Sequence, residues 1–420
     1  MYNINNHYNY ILQYANTKSQ NVKLGYFFPF GSTNFNNLEF IGSINNSIYI
    51  LCHDQEPLNY NFNAHMLNRF DNLTSYVHIQ KKFDFYSNYL ENVISSEHQN
   101  ILHNKKIPTI LLNTEKDSLE KNKILNQYGF IDCYYFFHAL AAADWFRGYQ
   151  YSSEIIPIRQ RKITKKFITY NRITGNSRVY RALFVASLAK KNLLSSGHVS
   201  FSKQCPVHDN VENSILNVIR DFKLDKNYIH RELKYISTIP DLRIDSSVDQ
   251  PIENSSFSIG DISKPMESFV NVVTETCFWD TKKHLTEKIF KPIVLKQPFI
   301  LLGCADNLSY LKEYGFKTFD RWWDEGYDQC RDPIERINMV TKILENLCKR
   351  SSQEIQNMLF EMEEILEYNY SLFYSQEFIN SIWDELKTNL NTAIAQVSHQ
   401  TVQGTSIQNH LYTAENKSLA

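Results

Sequence analysis

Apolar and polar positions recur along this chain with two periods, and those periods predict where strands and helices fall. SIYILC (residues 47–52) is a β-branched and aromatic run that delivers the polar sequence HDQEPL (53–58) at its carboxyl end. IPTILL (107–112) and FIDCYYFF (130–137) read as further strands. HALAAADWFRGY (138–149) reads as a helix on the strength of its alanines. A basic, polar stretch, PIRQRKITKKF (157–167), then reads as a linker. After it come a strand (FITYN, 167–171), a loop with one glycine (RITGNSR) and a helix at 179–194. The helix carries lysines near its end, where cations suit the dipole.

No period emerges between 211 and 262, where Asn, Asp and Ser cluster. SFVNVVTET (268–276) alternates as a strand. HLTEKIFKPIVLKQPFILLG (284–303) predicts a helix capped by Thr286, with Ile289, Phe290, Ile293 and Val294 on one face. Pro292 interrupts it, Pro298 stops it, and a short buried strand ends at Gly303. A helix follows at 308–314. Helical spacing returns from 336 to about 390 through Ile337, Val340, Ile343, Leu344 and Leu347, then Ile355, Leu359, Met362 and Leu366. The Ser-, Thr-, Asn- and Gln-rich stretch 396–420 predicts a disordered tail. Strands alternating with helices in two blocks predict an α/β protein.

Composition narrows the partners. Hydrophobic residues make up 43 % of the 420, enough for the cores of two or three domains. The 44 basic and 45 acidic residues leave a net charge of -1, so no overall field draws the chain to nucleic acid or an anionic membrane. Seven cysteines without a C-x-x-C pair suit reduced thiols, and the first 20 residues lack the pattern of a signal peptide. With no apolar run near the ~20 residues of a membrane span, the expected location is cytoplasmic.

The start of the 284–303 helix is the first candidate for chemistry. With Thr286 at the cap, Glu287 and Lys288 occupy the first turn, where unpaired amides and the dipole favour an anion. A phosphate fits the amides, the Thr286 hydroxyl and the Lys288 ammonium, and Glu287 can accept the hydroxyls of a ribose. The same residues also read as an ordinary capped helix with a solvated lysine. Asp144 and Arg147 share a helix face at a spacing of three, as a surface ion pair does, with His138 on the same helix; acceptor binding is the alternative role. Trp322, Trp323 and Tyr327 read either as a sugar-stacking platform or as core. Cys205 and His208 are too few for zinc. The run Arg159, Arg161, Lys162, Lys165 and Lys166 reads as a solvated linker or as a tracker of phosphates.

Taken together, these motifs resemble those of the family 10 α-fucosyltransferases. HLTEKIFKPIVLKQPFILLG is similar to the donor-binding motif, in which Thr-Glu-Lys opens an aromatic helix before a Val/Ile-rich strand ending in Gly. VVTET resembles the family's Phe-Glu-Asn-Ser strand end, with Glu275 at its Glu and Thr276 replacing its Asn. NSRVYRALFVASL looks like its Arg-bearing segment, and HDQEP like its Glu-Ser-Pro element, with Glu56 at the Glu position. The four stand in the family's order and cover mainly 167–194 and 269–303. GFKTFDRWWDEGYDQCRDPIERI (315–337) departs from the family and looks more like glycosyltransferase-like proteins of viruses, phages and bacteria.

What the resemblance implies is a GT-B fold, two Rossmann-like domains facing each other across a cleft. The expected parts are an acceptor-side domain at 1–156, a nucleotide-sugar domain at 157–334, helices at 335–395 packing across both, and the tail. Lys288 would then contact donor phosphate and Glu287 the ribose. Arg178 first, with Arg181 and Arg172 as alternatives, would neutralise the pyrophosphate, and Glu275 would lie near the sugar. The departing diphosphate needs either a metal or fixed cations. The chain has no Asp-x-Asp pair, so a metal-independent, inverting transfer is expected, with a nucleoside-diphosphate sugar as co-substrate and no other cofactor.

Such a transfer needs a general base for the acceptor hydroxyl. Glu56, held extended by Pro57, is the first candidate and Asp54, two residues earlier, the second; His53 would face the other way. An ordinary polar strand exit is the alternative. The resemblance implies a hexose or fucose-like sugar and a glycan or other hydroxyl as acceptor. Two further readings remain: a non-catalytic nucleotide- or glycan-binding protein on the same fold, and a viral DNA-base glycosyltransferase acting in host cytoplasm, which the neutral charge disfavours.

Overall fold

The computed structural model describes residues 7–19, 22–26, 38–39, 48–53, 109–175, 178–203, 211, 224–244, 259, 261–279 and 281–415. The chain forms two compact units, Met1–Phe137 with Asn380–Ala420, and His138–Ile379. It therefore leaves the first unit once and returns to it once, the second time within the C-terminal helix Gln376–Glu415.

In the first unit helix α1 (His7–Asn16) precedes strands β1 (Val22–Tyr26), β2 (Leu38–Glu39), β3 (Ile48–His53), β4 (Thr109–Asn113) and β5 (Ile131–Tyr134). All pair in parallel, in the order β2-β1-β3-β4-β5. Parallel strands are covered on both faces and so read as unbroken apolar runs; Ile110, Leu111 and Leu112 are fully buried. This order is that of a doubly wound sheet, whose ligands bind outside the carboxyl ends at the switch point, here between β1 and β3. The segment carrying Asp54 and Glu56 follows directly on the end of β3 at His53; both candidate bases lie outside the described residues. Helix α2 (Leu119–Tyr128) joins β4 to β5 and is stopped by Gly129 in the left-handed region at φ 67°.

The predicted strand at 130–137 is shorter than its apolar run. Phe137 already begins helix α3 (Phe137–Trp145), and Tyr135 and Phe136 are buried in the turn between them. Here His7 is buried with its Nε2 2.6 Å from the Tyr135 hydroxyl, and the ring of Trp383 from the C-terminal helix lies 5.4 Å from its own.

The second unit repeats the plan. Strands β6 (Lys165–Thr169), β7 (Gly197–Val199), β8 (Ser268–Thr274) and β9 (Phe299–Leu302) pair in parallel in the order β7-β6-β8-β9, with the switch point between β6 and β8. Every residue of β8 is buried. Gly197 lets β7 approach β6, since a Cβ there would lie 2.5 Å from the Phe167 ring. Helix α4 (Tyr180–Lys190) follows β6. The stretch 211–262, which shows no period, contains helix α5 (Lys226–Thr238), capped by Asp225 and buried through Ile229, Glu232 and Ile236. Buried Glu232 pairs with Lys190 of α4.

The basic run before β6 lies inside this unit, and most of its charges are engaged by protein. Buried Arg161 donates to the carbonyls of Ile156 (2.8 Å), Leu295 (2.8 Å) and Lys296 (2.7 Å). Its guanidinium thus covers the end of helix α6 (Phe290–Val294), where orphan carbonyls concentrate negative charge. Burial lowers its pKa to about 10. Arg159 pairs with Glu363 at 2.5 Å, and Lys165 and Lys166 donate to the carbonyls of Ser195 and Arg350. Arg161 alone departs from the solvated reading of the run: Arg159 and Lys162 are exposed, and Lys165 and Lys166 are partly so. The surface pair Asp144–Arg147 forms as its spacing predicts.

Helices α7 (Asn307–Glu313), α8 (Pro333–Lys349), α9 (Ser352–Glu361) and α10 (Glu363–Phe373) complete the unit. Asp332 caps α8 ahead of Pro333, and Ser351 with Glu354 forms a capping box at α9. The C-terminal helix runs on to Glu415, into the stretch whose composition favours disorder. Among the described residues no helix is long and apolar enough to cross a membrane.

Acid stability should report on His7. Burial holds its imidazole neutral, lowering the pKa from 6.5 to about 3. The unfolded chain takes up a proton below 6.5 that the folded one refuses, so stability falls as the pH drops from 6.5 toward 3. At pH 5 the loss is about 2 kcal/mol. Thermal unfolding of His7→Phe at pH 7 and 5 should show that much less pH dependence than wild type; equal dependence in both would contradict the assignment.

Candidate functional site

The carboxyl edge of the second sheet is built around Glu275, the first residue after β8. Its backbone is held from the side of α4. The Tyr180 hydroxyl donates to the Glu275 carbonyl at 2.5 Å, and Arg181 Nη2 donates to the carbonyls of Thr274 (2.8 Å) and Glu275 (3.1 Å). Arg181 Nη1 reaches the Ile173 carbonyl at 3.0 Å. The Tyr180 ring stacks on Phe278 at 4.0 Å. A Cβ at neighbouring Gly303 would crowd the Asn307 side-chain amide at 3.1 Å and would touch Glu275 at ordinary contact distance, 3.4 Å.

The Glu275 side chain is fully buried and reaches forward along the chain. It accepts from the Thr286 hydroxyl at 2.6 Å, from the Thr286 amide at 3.3 Å and from the Thr276 amide at 3.2 Å. Burial raises its pKa, opposed by the charge of Lys288 and the hydrogen bonds from Thr286. Thr286 in turn caps the next turn, accepting from the Lys288 amide at 3.5 Å. The Lys288 ammonium lies 3.0 Å from the Thr286 hydroxyl, 3.3 Å from that of Thr276 and 3.1 Å from the Glu287 carboxylate. Its three protons thus have acceptors within the protein. With the side chain 31 % exposed, a phosphate oxygen can still approach it from solvent.

Glu287 is half-buried beside a concentration of positive charge. Burial acts to raise its pKa, but Lys288 first, then His138 and Lys291, outweigh it and hold the carboxyl at about 2. His138 comes from α3, and its ring meets that of His284 edge-on at 5.3 Å. No sequence signal tied His138 to this edge; only the fold brings it there. Tyr180 was likewise hidden, since within VYRALF it reads simply as one more core position.

One expectation is corrected. Thr286 does cap, but the chain then makes a 3-10 turn, Glu287–Ile289, and only the five residues of α6 are helical after it. Pro292 contributes no N–H in the middle of that short segment. Lys296 adopts the left-handed region at φ 49° to close it, with the Gln297 amide bonded back to the Pro292 carbonyl at 2.8 Å. So brief a helix lacks the aligned peptide dipoles that the sequence suggested. Any hold on an anion here rests on side chains.

The remaining candidates divide by position. Arg172 is exposed directly after β6, and Arg178 is half-buried in the turn before α4; both belong to the segment that leaves β6 beside the end of β8. Arg181 is turned inward onto three carbonyls. Asn171, fully buried after β6, leaves its side-chain oxygen without a hydrogen-bond partner. Tyr327 is core, its hydroxyl accepting from the Leu301 amide at 3.3 Å. The described residues joined at this edge by the fold are therefore those at 171–175, 178–181, 274–276 and 284–288.

No family model and no curated protein matches the chain. Fold and site together define a mixed α/β protein with two parallel sheets. One of them ends in a buried carboxylate–threonine–lysine network beside its switch point.

Glu275 is the keystone of that network, and its replacement can be graded. Glu275→Leu leaves the Thr286 hydroxyl and two amides without acceptors and should cost about 3 kcal/mol. Glu275→Gln keeps one acceptor oxygen and resembles the protonated acid that burial favours, so it should cost about 1 kcal/mol. Urea unfolding of both variants checks this; a Leu variant as stable as wild type would remove the keystone role.

Proposed function

We propose that this protein is a glycosyltransferase that moves a sugar from a nucleoside-diphosphate sugar to an acceptor hydroxyl. The observation that carries the reading is the Glu275–Thr286–Lys288 network at the carboxyl edge of β8. That edge flanks a switch point, where doubly wound sheets hold nucleotides. It is also where three of the four motifs resembling those of family 10 α-fucosyltransferases come together, through Arg181, Glu275 and Thr286. Two parallel-sheet units, with a C-terminal helix that returns to the first, support a GT-B architecture.

Each residue then has a chemical task. Lys288, steadied by two threonine hydroxyls and the Glu287 carboxylate, is a fixed cation for the phosphate oxygens. Being already oriented, it needs little reorganisation as charge grows on the leaving group. Arg178 and Arg172, on the segment leaving β6, are free to add to that field, whereas Arg181 stabilises the strand end. Glu287, ionised down to about pH 2, accepts the ribose hydroxyls. Glu56, on the segment following β3, takes the acceptor proton. The acceptor oxygen forms its bond to the anomeric carbon as the sugar–phosphate bond breaks, and its electrons leave with the diphosphate. Of the basic run at 159–166, Arg161 is buried on carbonyls and Arg159 pairs with Glu363, which weakens its support for DNA as the acceptor.

Diphosphate release from a panel of sugar nucleotides tests the proposal. Lys288→Ala should weaken donor binding about 10–100-fold, the scale of a charged hydrogen bond. Glu56→Gln should abolish turnover and leave donor affinity intact. Wild-type turnover in both variants, or no release with any sugar nucleotide, would overturn the reading.

A further inference from the structure

Two reduced thiols of the second unit, Cys304 and Cys330, stand on segments that the fold stitches together. Cys304 lies in the turn after β9 and is 1 % exposed. Cys330 caps the 3-10 turn Gly326–Gln329 ahead of α8 and is half-buried, so solvent reaches it.

Contacts between the two segments run in opposite directions along the chain. The Asp328 carboxylate accepts from the Leu308 amide at 2.7 Å and the Ser309 amide at 2.9 Å. The Asp328 carbonyl accepts from the Asp306 amide at 2.7 Å. Further on, Arg331 pairs with the Asp306 carboxylate at 2.5 Å, and Arg336 Nη1 donates to the Gly303 carbonyl at 2.8 Å. As one segment advances from 328 to 336, the other recedes from 309 to 303. Cys330 and Cys304 both fall within this strip, on facing segments.

Arg336, buried on α8, marks where they converge. Cys330 Sγ lies 3.4 Å from the Asp332 carbonyl, and that carbonyl also accepts from the Arg336 amide at 3.0 Å. Helical side chains lean back toward the amino end of their helix, which carries the guanidinium over this turn. Its Nη1 ends on the carbonyl of Gly303, the residue before Cys304. Both sulfurs lie near enough to the guanidinium for their charged forms to interact with it.

Two other thiols of this unit serve as comparators. Cys348, near the end of α8, is also half-buried, but burial pushes its pKa up and so lowers the thiolate fraction that reacts. Cys277 is buried next to Phe278, whose carbonyl accepts from the same Arg336 Nη1 at 3.2 Å.

We propose that Cys330 and Cys304 form a peroxide-sensitive dithiol, in which Cys330 is oxidised first and Cys304 then closes a disulfide. The Cys330 sulfur attacks one oxygen of hydrogen peroxide and the O–O bond breaks. The departing hydroxide takes the thiol proton and leaves as water, and Cys330 becomes a sulfenic acid. The Cys304 sulfur then attacks that of Cys330. The S–S bond forms as the S–O bond breaks, and hydroxide leaves as a second water with the Cys304 proton. Two thiols are oxidised and one peroxide is reduced. The bond would tie the turn after β9 to the start of α8, and it does not depend on the transfer reaction.

Peptide mapping by mass spectrometry of the full chain, before and after excess hydrogen peroxide, tests this. A Cys304–Cys330 disulfide should form, and dithiothreitol should reverse it. In Cys304→Ser, dimedone should trap a sulfenic acid on Cys330 at least about tenfold faster than on Cys348. Cys330→Ser should leave Cys304 unlinked. The proposal fails if oxidised wild type lacks the Cys304–Cys330 bond, or if Cys304 pairs with Cys277 instead. It also fails if dimedone labels Cys348 as fast as Cys330.

Discussion

A carboxylate buried where water cannot reach it must find its hydrogen-bond donors within the protein, and Glu275 finds all of its donors in two threonines. That requirement fixes where Thr286 stands, and Thr286 fixes the turn that presents Lys288. The order of dependence runs from sheet to cap to cation. Helix α4 secures the sheet end from the other side through Tyr180 and Arg181, so the strand terminus cannot drift without breaking bonds to two buried side chains. A cation mounted this way is oriented before any anion arrives, which is the condition for stabilising charge as it develops.

The legible parts of this structure are those in which neighbours in sequence decide the outcome. Strand β8 was legible as a strand in SFVNVVTET, but not by the alternation read there: all seven of its residues are buried, as a parallel strand covered on both faces requires. Thr286, Glu287 and Lys288 were legible as a cap because capping is local. The 3-10 turn was not, since EKIFKPIV has apolar positions that suit either helix and only the packing chooses. Arg181 illustrates the other limit: its partners are backbone carbonyls at Ile173, Thr274 and Glu275, which no residue type announces. Arg161 does the same at the end of α6, and a charged run that reads as solvated turns out to include a buried cap. Helix α5 was masked by the Asn, Asp and Ser around it, although Asp225 and the buried Ile229 and Ile236 form a regular capped helix.

The two sheets share a parallel, doubly wound design but differ in what stands at their carboxyl ends. In the second unit the edge carries Glu275, Thr286 and Lys288. In the first, buried Lys121 bridges Asp132 at 2.8 Å and the Glu115 carbonyl at 2.7 Å, and Asn113 joins Asp132 at 2.7 Å. These polar clusters lie where helix-covered parallel strands end, the one part of such a sheet not sealed by apolar side chains. Composition alone would not distinguish them from solvated loops; burial does.

The central claim is that the Glu275–Thr286–Lys288 network holds a diphosphate. Calorimetric titration of wild type, Thr286→Val and Lys288→Ala with UDP, GDP, ADP, CDP and TDP, each against its parent nucleoside, tests this most directly. At least one diphosphate should bind wild type, its nucleoside should bind at least about tenfold more weakly, and both variants should lose about tenfold or more in diphosphate affinity alone. Diphosphate binding that is equal in all three proteins, or absent from wild type, would contradict it.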